Sequence, residues 1–70
     1  MKYIIAIDIG GTTFKTGLFS DSLSLIKSSN EDKIRYYNGK EEIVNGIIKQ
    51  INSLIEDSGI NQIDIIGIGI

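Results

Sequence analysis

The stretch Tyr3-Ile4-Ile5-Ala6-Ile7-Asp8-Ile9-Gly10-Gly11-Thr12-Thr13-Phe14-Lys15-Thr16-Gly17-Leu18-Phe19-Ser20 decides the fold. From Tyr3 to Ile9 it is nearly continuously apolar and rich in β-branched residues, the pattern of a strand covered on both faces and central in a sheet. Gly10-Gly11 interrupts that run. Phe14 to Ser20 resumes it, with Phe14, Thr16 and Leu18 on one face and Lys15, Gly17 and Phe19 on the other. Two β-patterned runs joined by a short Gly-Gly turn predict a hairpin.

Working outward, Asp21-Ser22 reads as a second turn and Leu23 to Lys27 as a third strand, completing a meander. Ser28 to Asn38 is polar and weakly periodic, a surface connection with an extended piece at Ile34 to Tyr37. Beyond it, Ile43, Val44, Ile47, Ile48, Ile51, Leu54 and Ile55 recur at the spacing of one helical face, which is expected to be core. Asn38 followed by Glu41 has the form of a capping box, and Gly59 suits the left-handed residue that ends a helix. Gly46 inside the helix costs about 1 kcal/mol relative to alanine, so either a neighbour packs closely there or the helix is locally weak. Tyr36 and Tyr37 read as surface or packing residues. A last strand, Ile63 to Ile70, should lie parallel to the first through a right-handed crossover.

The order β-β-β-α-β places the chain in the α/β class with a mixed sheet. Seventy residues make at most one small domain, and seventeen isoleucines supply its apolar content. One helix covers only one sheet face. The uncovered face predicts that the chain is incomplete or that it pairs with something, with a homo-oligomer as the expected form.

Composition narrows the function classes. The chain is 41% hydrophobic and 23% charged with a net charge of -2, and it has no cysteine or histidine. Disulfide frameworks and Cys/His zinc sites are therefore excluded from these residues. Net acidity without a Lys/Arg cluster disfavours a nucleic-acid partner. No apolar run reaches the roughly 18 residues of a membrane span, and the start of the chain lacks a secretory pattern. A cytoplasmic protein without a membrane partner is expected.

The chemistry concentrates at the hairpin. Two glycines permit positive φ and leave no Cβ in the way, so successive N–H groups can converge on an anion. Thr12 and Thr13 add hydroxyls beside them. Asp8, at the end of the strand, is placed to hold Mg²⁺ through coordinated water. A Walker A loop would need Gly-Lys-Ser/Thr leading into a helix, and a dinucleotide fingerprint would need Gly-x-Gly-x-x-Gly there. Neither pattern is present. The plainer readings are that Gly10-Gly11 only makes the turn and that Asp8 only caps it. Lys15 reads as a solvated strand lysine, and Gly67-Ile68-Gly69 is a weak signal, equally suited to packing.

The run Ile5 to Phe19 closely resembles the first phosphate motif of the ROK family of sugar kinases and repressors, within the actin, hexokinase and heat-shock chaperone superfamily. Lys15-x-Gly17-Leu18 and the ending Ile65 to Ile70 are similar to that family, and Thr13 stands where its members often carry lysine. The resemblance implies a ribonuclease H-like, actin-like ATPase domain, of which residues 1–70 would be the N-terminal part. The activity implied is transfer of the ATP γ-phosphoryl group to a hexose or N-acetylhexosamine, as in a glucokinase. Asp8, Gly10, Gly11, Thr12 and Thr13 would then serve ATP phosphates, with Asp8 at the Mg²⁺. The sugar-binding residues and catalytic base of the family would lie downstream, leaving residues 1–70 inactive alone. The rival classes are a ROK sugar-responsive repressor and another actin-like ATPase. The repressor is expected to carry a DNA-binding domain ahead of the motif, where this chain has only the residues before Asp8.

Overall fold

The computed structural model describes residues 1–70. Five strands form one mixed sheet: β1 (Tyr3–Ile9), β2 (Thr13–Ser20), β3 (Leu25–Ser28), β4 (Asp32–Lys33) and β5 (Ile65–Gly69). The spatial order is β3-β2-β1-β5, with the two-residue β4 pairing β2 beside β3. A single α-helix, α1 (Lys40–Ser58), and two 3-10 turns, Ile34–Tyr36 and Gln62–Asp64, complete the chain.

β1 pairs antiparallel with β2 in continuous register from Tyr3↔Ser20 to Ile9↔Phe14. It pairs parallel with β5, as the helical crossover requires, through Ile4↔Gly67, Ile5↔Ile68 and Ala6↔Gly69. Residues directly opposite share a face, so Ile5, Ile7 and Ile9 stand with Leu18, Thr16 and Phe14 on one side. The core lies there: Ile5, Phe14, Leu18, Ile47 and Leu54 are buried. Thr16 is buried among them at 1% exposure and is satisfied. Its hydroxyl donates to Gln50 Oε1 at 3.3 Å, and its N–H donates to Ser29 Oγ at 2.9 Å. Gln50 also accepts from Ser29 Oγ at 3.1 Å, fastening helix to sheet through one amide.

Several local expectations are corrected. The capping box does not form: the N-cap is Gly39 at φ 92°, with no side-chain bond, and Asn38 lies one residue too early. Glu41 and Glu42 in the first turn complement the helix dipole instead. Leu23 does not start β3, because it takes a left-handed φ of 68° within the turn closed by its N–H to the Ser20 carbonyl. Of the extended piece expected at Ile34 to Tyr37, Ile34–Tyr36 is a 3-10 turn preceded by β4, and Tyr37 alone is extended. β5 begins at Ile65, after a second 3-10 turn whose first N–H groups are met by Asn61 Oδ1 at Ile63. Gly59 ends α1 in the left-handed region at φ 68°, as its residue type predicts.

β1 is central, but it is not covered on both faces. The helix packs on β2 and the margin of β3 rather than across β1 and β5. Consequently Val44 and Ile48 on the helix are exposed, as are Ile66, Ile68 and Ile70 near the end of the chain. Gly46 is explained by close packing, since the ring of Tyr37 lies directly against it. No helix is long and apolar enough to cross a membrane.

Candidate functional site

The hairpin between β1 and β2 leaves the centre of the sheet. Its closing bond runs from the Gly10 N–H to the Thr13 carbonyl at 2.8 Å, so Gly11 and Thr12 turn the chain. Contrary to the expectation for a Gly-Gly turn, neither glycine has positive φ; only Gly39 and Gly59 do. A β-carbon at Gly11 would meet nothing within 4 Å. At Gly10 it would only touch the Thr13 carbonyl at 3.7 Å and Oγ1 at 3.9 Å. The fold of this chain therefore does not require glycine at position 11. What its absence of a side chain leaves open is the approach to the backbone.

None of the turn and loop hydrogen bonds uses the N–H of Gly11 or Thr12. Both residues are exposed, and Thr13 is half-buried. The Thr12 carbonyl is engaged, accepting the Ile34 N–H at 2.9 Å. This bond, with the pairs Thr13↔Lys33 and Phe14↔Asp32, ties the segment after β3 to the hairpin.

The predicted site residues do not share one concavity. Gly11, Thr12 and Thr13 line a cavity of about 450 Å³ together with Lys33, Ile34 and Arg35. Asp8 lines a different hollow, of about 290 Å³, on the sheet face away from the helix, with Ala6, Lys15, Gly17 and Phe19 among its walls. Gly10 joins the two sides without lining either. Asp8 stands opposite Lys15 in the ladder, is exposed and forms no ion pair. No group of three or more carboxylate, histidine or cysteine side chains converges anywhere in the chain. The donor set at Asp8, one free carboxylate, suits a cation that keeps most of its water, as Mg²⁺ does.

Lys33 and Arg35 were missed by sequence reading. In Glu31-Asp32-Lys33-Ile34-Arg35 the formal charges cancel, and nothing local says which side each takes. The fold separates them. Asp32 accepts the Tyr37 hydroxyl and, at 3.0 Å, the Lys33 N–H, and with Glu31 it lines a polar groove of about 550 Å³ between β3 and α1. Lys33 and Arg35 line the hairpin cavity instead. The proximity of Asp32 raises the Tyr37 phenol above its ordinary value, chiefly through their hydrogen bond and further through burial and charge repulsion.

Fold and site together define a small α/β unit whose mixed sheet presents an Asp-x-Gly-Gly-Thr hairpin with free backbone donors. Its sequence is similar to that of the glucokinase of Thermotoga maritima, at 35% identity over 66 residues, or 94% of this chain and 20% of that protein. The chain thus spans about a fifth of the length of the curated relative it matches. No family model matches the chain. No solved structure matches it either.

Proposed function

We propose that the chain is the phosphate-binding N-terminal segment of an ATP-dependent sugar kinase of the ROK type, built on a ribonuclease H-like domain. The whole kinase would transfer the ATP γ-phosphoryl group to a hydroxyl of a hexose or N-acetylhexosamine. The observation that carries this reading is the hairpin. Gly11 and Thr12 offer unpaired N–H groups at a position where glycine is not needed by the fold, next to the threonine hydroxyls. Backbone donors held in that way stabilise phosphate charge without reorganising, which is most of what phosphoryl transfer asks of a protein. The similarity to a glucokinase supports the choice of a sugar kinase over another actin-like ATPase.

Asp8 is the residue that would hold Mg²⁺, through water. The ion would supply charge neutralisation to the phosphates at the base of the hairpin. Gly10, Gly11, Thr12 and Thr13 would orient the phosphate chain. The acceptor sugar and the base that takes its proton would come from the remainder of such a kinase. That remainder would also cover Ile66, Ile68 and Ile70, which are exposed in these seventy residues.

Calorimetry of Mg·ATP with the chain tests the reading. Weak binding is expected, reduced by Gly11→Ala, whose methyl would occupy the open approach, and by Asp8→Ala, with the folded state of both variants unchanged. Binding that neither substitution weakens would sink it. Phosphorylation of glucose or an N-acetylhexosamine by the full-length gene product tests the assigned reaction.

A further inference from the structure

The cavity beside the hairpin carries more than the predicted motif. Its far wall is Lys33, Ile34 and Arg35, and its near wall is Gly11, Thr12 and Thr13. Neither cation is in an ion pair: the chain has one, Lys27 with Asp57 at 3.9 Å, and neither of its residues lines this cavity. The Arg35 guanidinium rests over the Tyr36 ring, 5.3 Å from its centroid, which limits where the charge can go. The neighbouring carboxylates of Glu31 and Asp32 face the opposite groove. An acidic chain, with a net charge of -2, thus concentrates two unpaired cations beside two unpaired backbone donors.

We propose that Lys33 and Arg35 form the cationic wall of the hairpin's anion site, which takes a polyphosphate chain in preference to a single phosphate group. This rests on the reading of the hairpin as a phosphate site and adds two ligand-binding residues to it. Amides alone provide hydrogen bonds of fixed geometry. Lys33 and Arg35, whose residues form the facing wall, would add charge-assisted bonds to further phosphoryl groups of the same ligand. Their position is held by the backbone. The Ile34 N–H to Thr12 carbonyl bond lies between the two cations in sequence, so the wall moves with the hairpin. A cavity of about 450 Å³ has room for several linked phosphoryl groups.

The test is a titration of the full chain with inorganic triphosphate and with orthophosphate, followed by amide NMR and calorimetry at two salt concentrations. Triphosphate is expected to shift the Gly11 and Thr12 amides and to bind more tightly than orthophosphate. Lys33→Gln with Arg35→Gln should weaken triphosphate on the order of tenfold and flatten its salt dependence. The charge-conserving pair Lys33→Arg with Arg35→Lys should retain most of the affinity, and Lys49→Gln, in the other groove, should change nothing. Unchanged triphosphate affinity in the Gln pair, with the hairpin amides still shifting, would overturn this proposal while leaving the hairpin reading intact. An equal loss in Lys49→Gln would also overturn it, since the effect would then be one of net charge. Gly11 and Thr12 amides that respond neither to these anions nor to Mg·ATP would overturn both.

Discussion

The ring of Tyr37 rests on the helix at Gly46, so closely that a β-carbon there would lie 2.8 Å from Cε1 and 3.0 Å from Cζ and Oη. The ring is held from two other sides. Its centroid is 5.4 Å from that of Phe14, tilted by 54°, and its hydroxyl donates to Asp32. A single aromatic residue therefore joins helix, core and the segment that carries Lys33 and Arg35.

Gly46→Ala should accordingly destabilise the chain, although alanine is the better helix former. The propensity gain is about 1 kcal/mol, whereas forcing a methyl into a filled contact costs about 1–3 kcal/mol. A net loss of about 1 kcal/mol is expected in urea unfolding. In a Tyr37→Ala background the same substitution should stabilise by about 1 kcal/mol, because the clash is gone and only the propensity remains. A double-mutant cycle reads the reversal of sign directly.

Stability should fall in alkali through Tyr37. Its phenol is raised above the usual value of about 10 by the hydrogen bond to Asp32 first, then by burial and the carboxylate charge. The folded state thus holds this proton more tightly than the unfolded one. The contribution is fully present below the unfolded value and is lost as pH rises through the folded value. Unfolding midpoints compared at pH 8 and pH 11 should drop more for the native chain than for Tyr37→Phe. Equal drops would remove the Asp32 contact from the account.

Leu23 and Gly59 both have φ 68°, and opposite effects are expected from exchanging their residue types. Gly59→Ala places a side chain in the left-handed region and should cost about 1 kcal/mol, with nothing nearby to offset or worsen it. Leu23→Gly relieves the same strain at an exposed turn position and should gain roughly 0.5–1 kcal/mol. Thermal unfolding of the two variants checks both signs.

The hairpin, the parallel return of β5 and the left-handed end of α1 were legible in the residues themselves. Each is written within a short window: an apolar run broken by Gly10-Gly11, an isoleucine-rich strand after a helix, and Gly59 after the last helical turn. That Phe14, Thr16 and Leu18 share one face followed from alternation alone, and burial shows that face to be the core. The start of α1 was not legible, because Asn38 and Gly39 are both acceptable caps. The choice fell to the residue that could take φ 92°. Nor could periodicity show that α1 would lie over β2 and leave Ile66 and Ile68 exposed, since amphipathicity sets which face is buried and not what it is buried against.

By itself, then, the sequence determined an α/β unit of mixed sheet with an Asp8-to-Thr13 hairpin at its centre, since local periodicity and turn chemistry act over a few residues. Tertiary structure alone decided the rest of the site. It set Asp8 and the hairpin tip on different sides, and it brought Lys33 and Arg35 to Gly11, Thr12 and Thr13 across some twenty residues of chain. The physical reason is β4. Its pairing with the start of β2 and the Ile34 to Thr12 bond go with Glu31 and Asp32 on one side and Lys33 and Arg35 on the other, a sorting that only a formed sheet can impose.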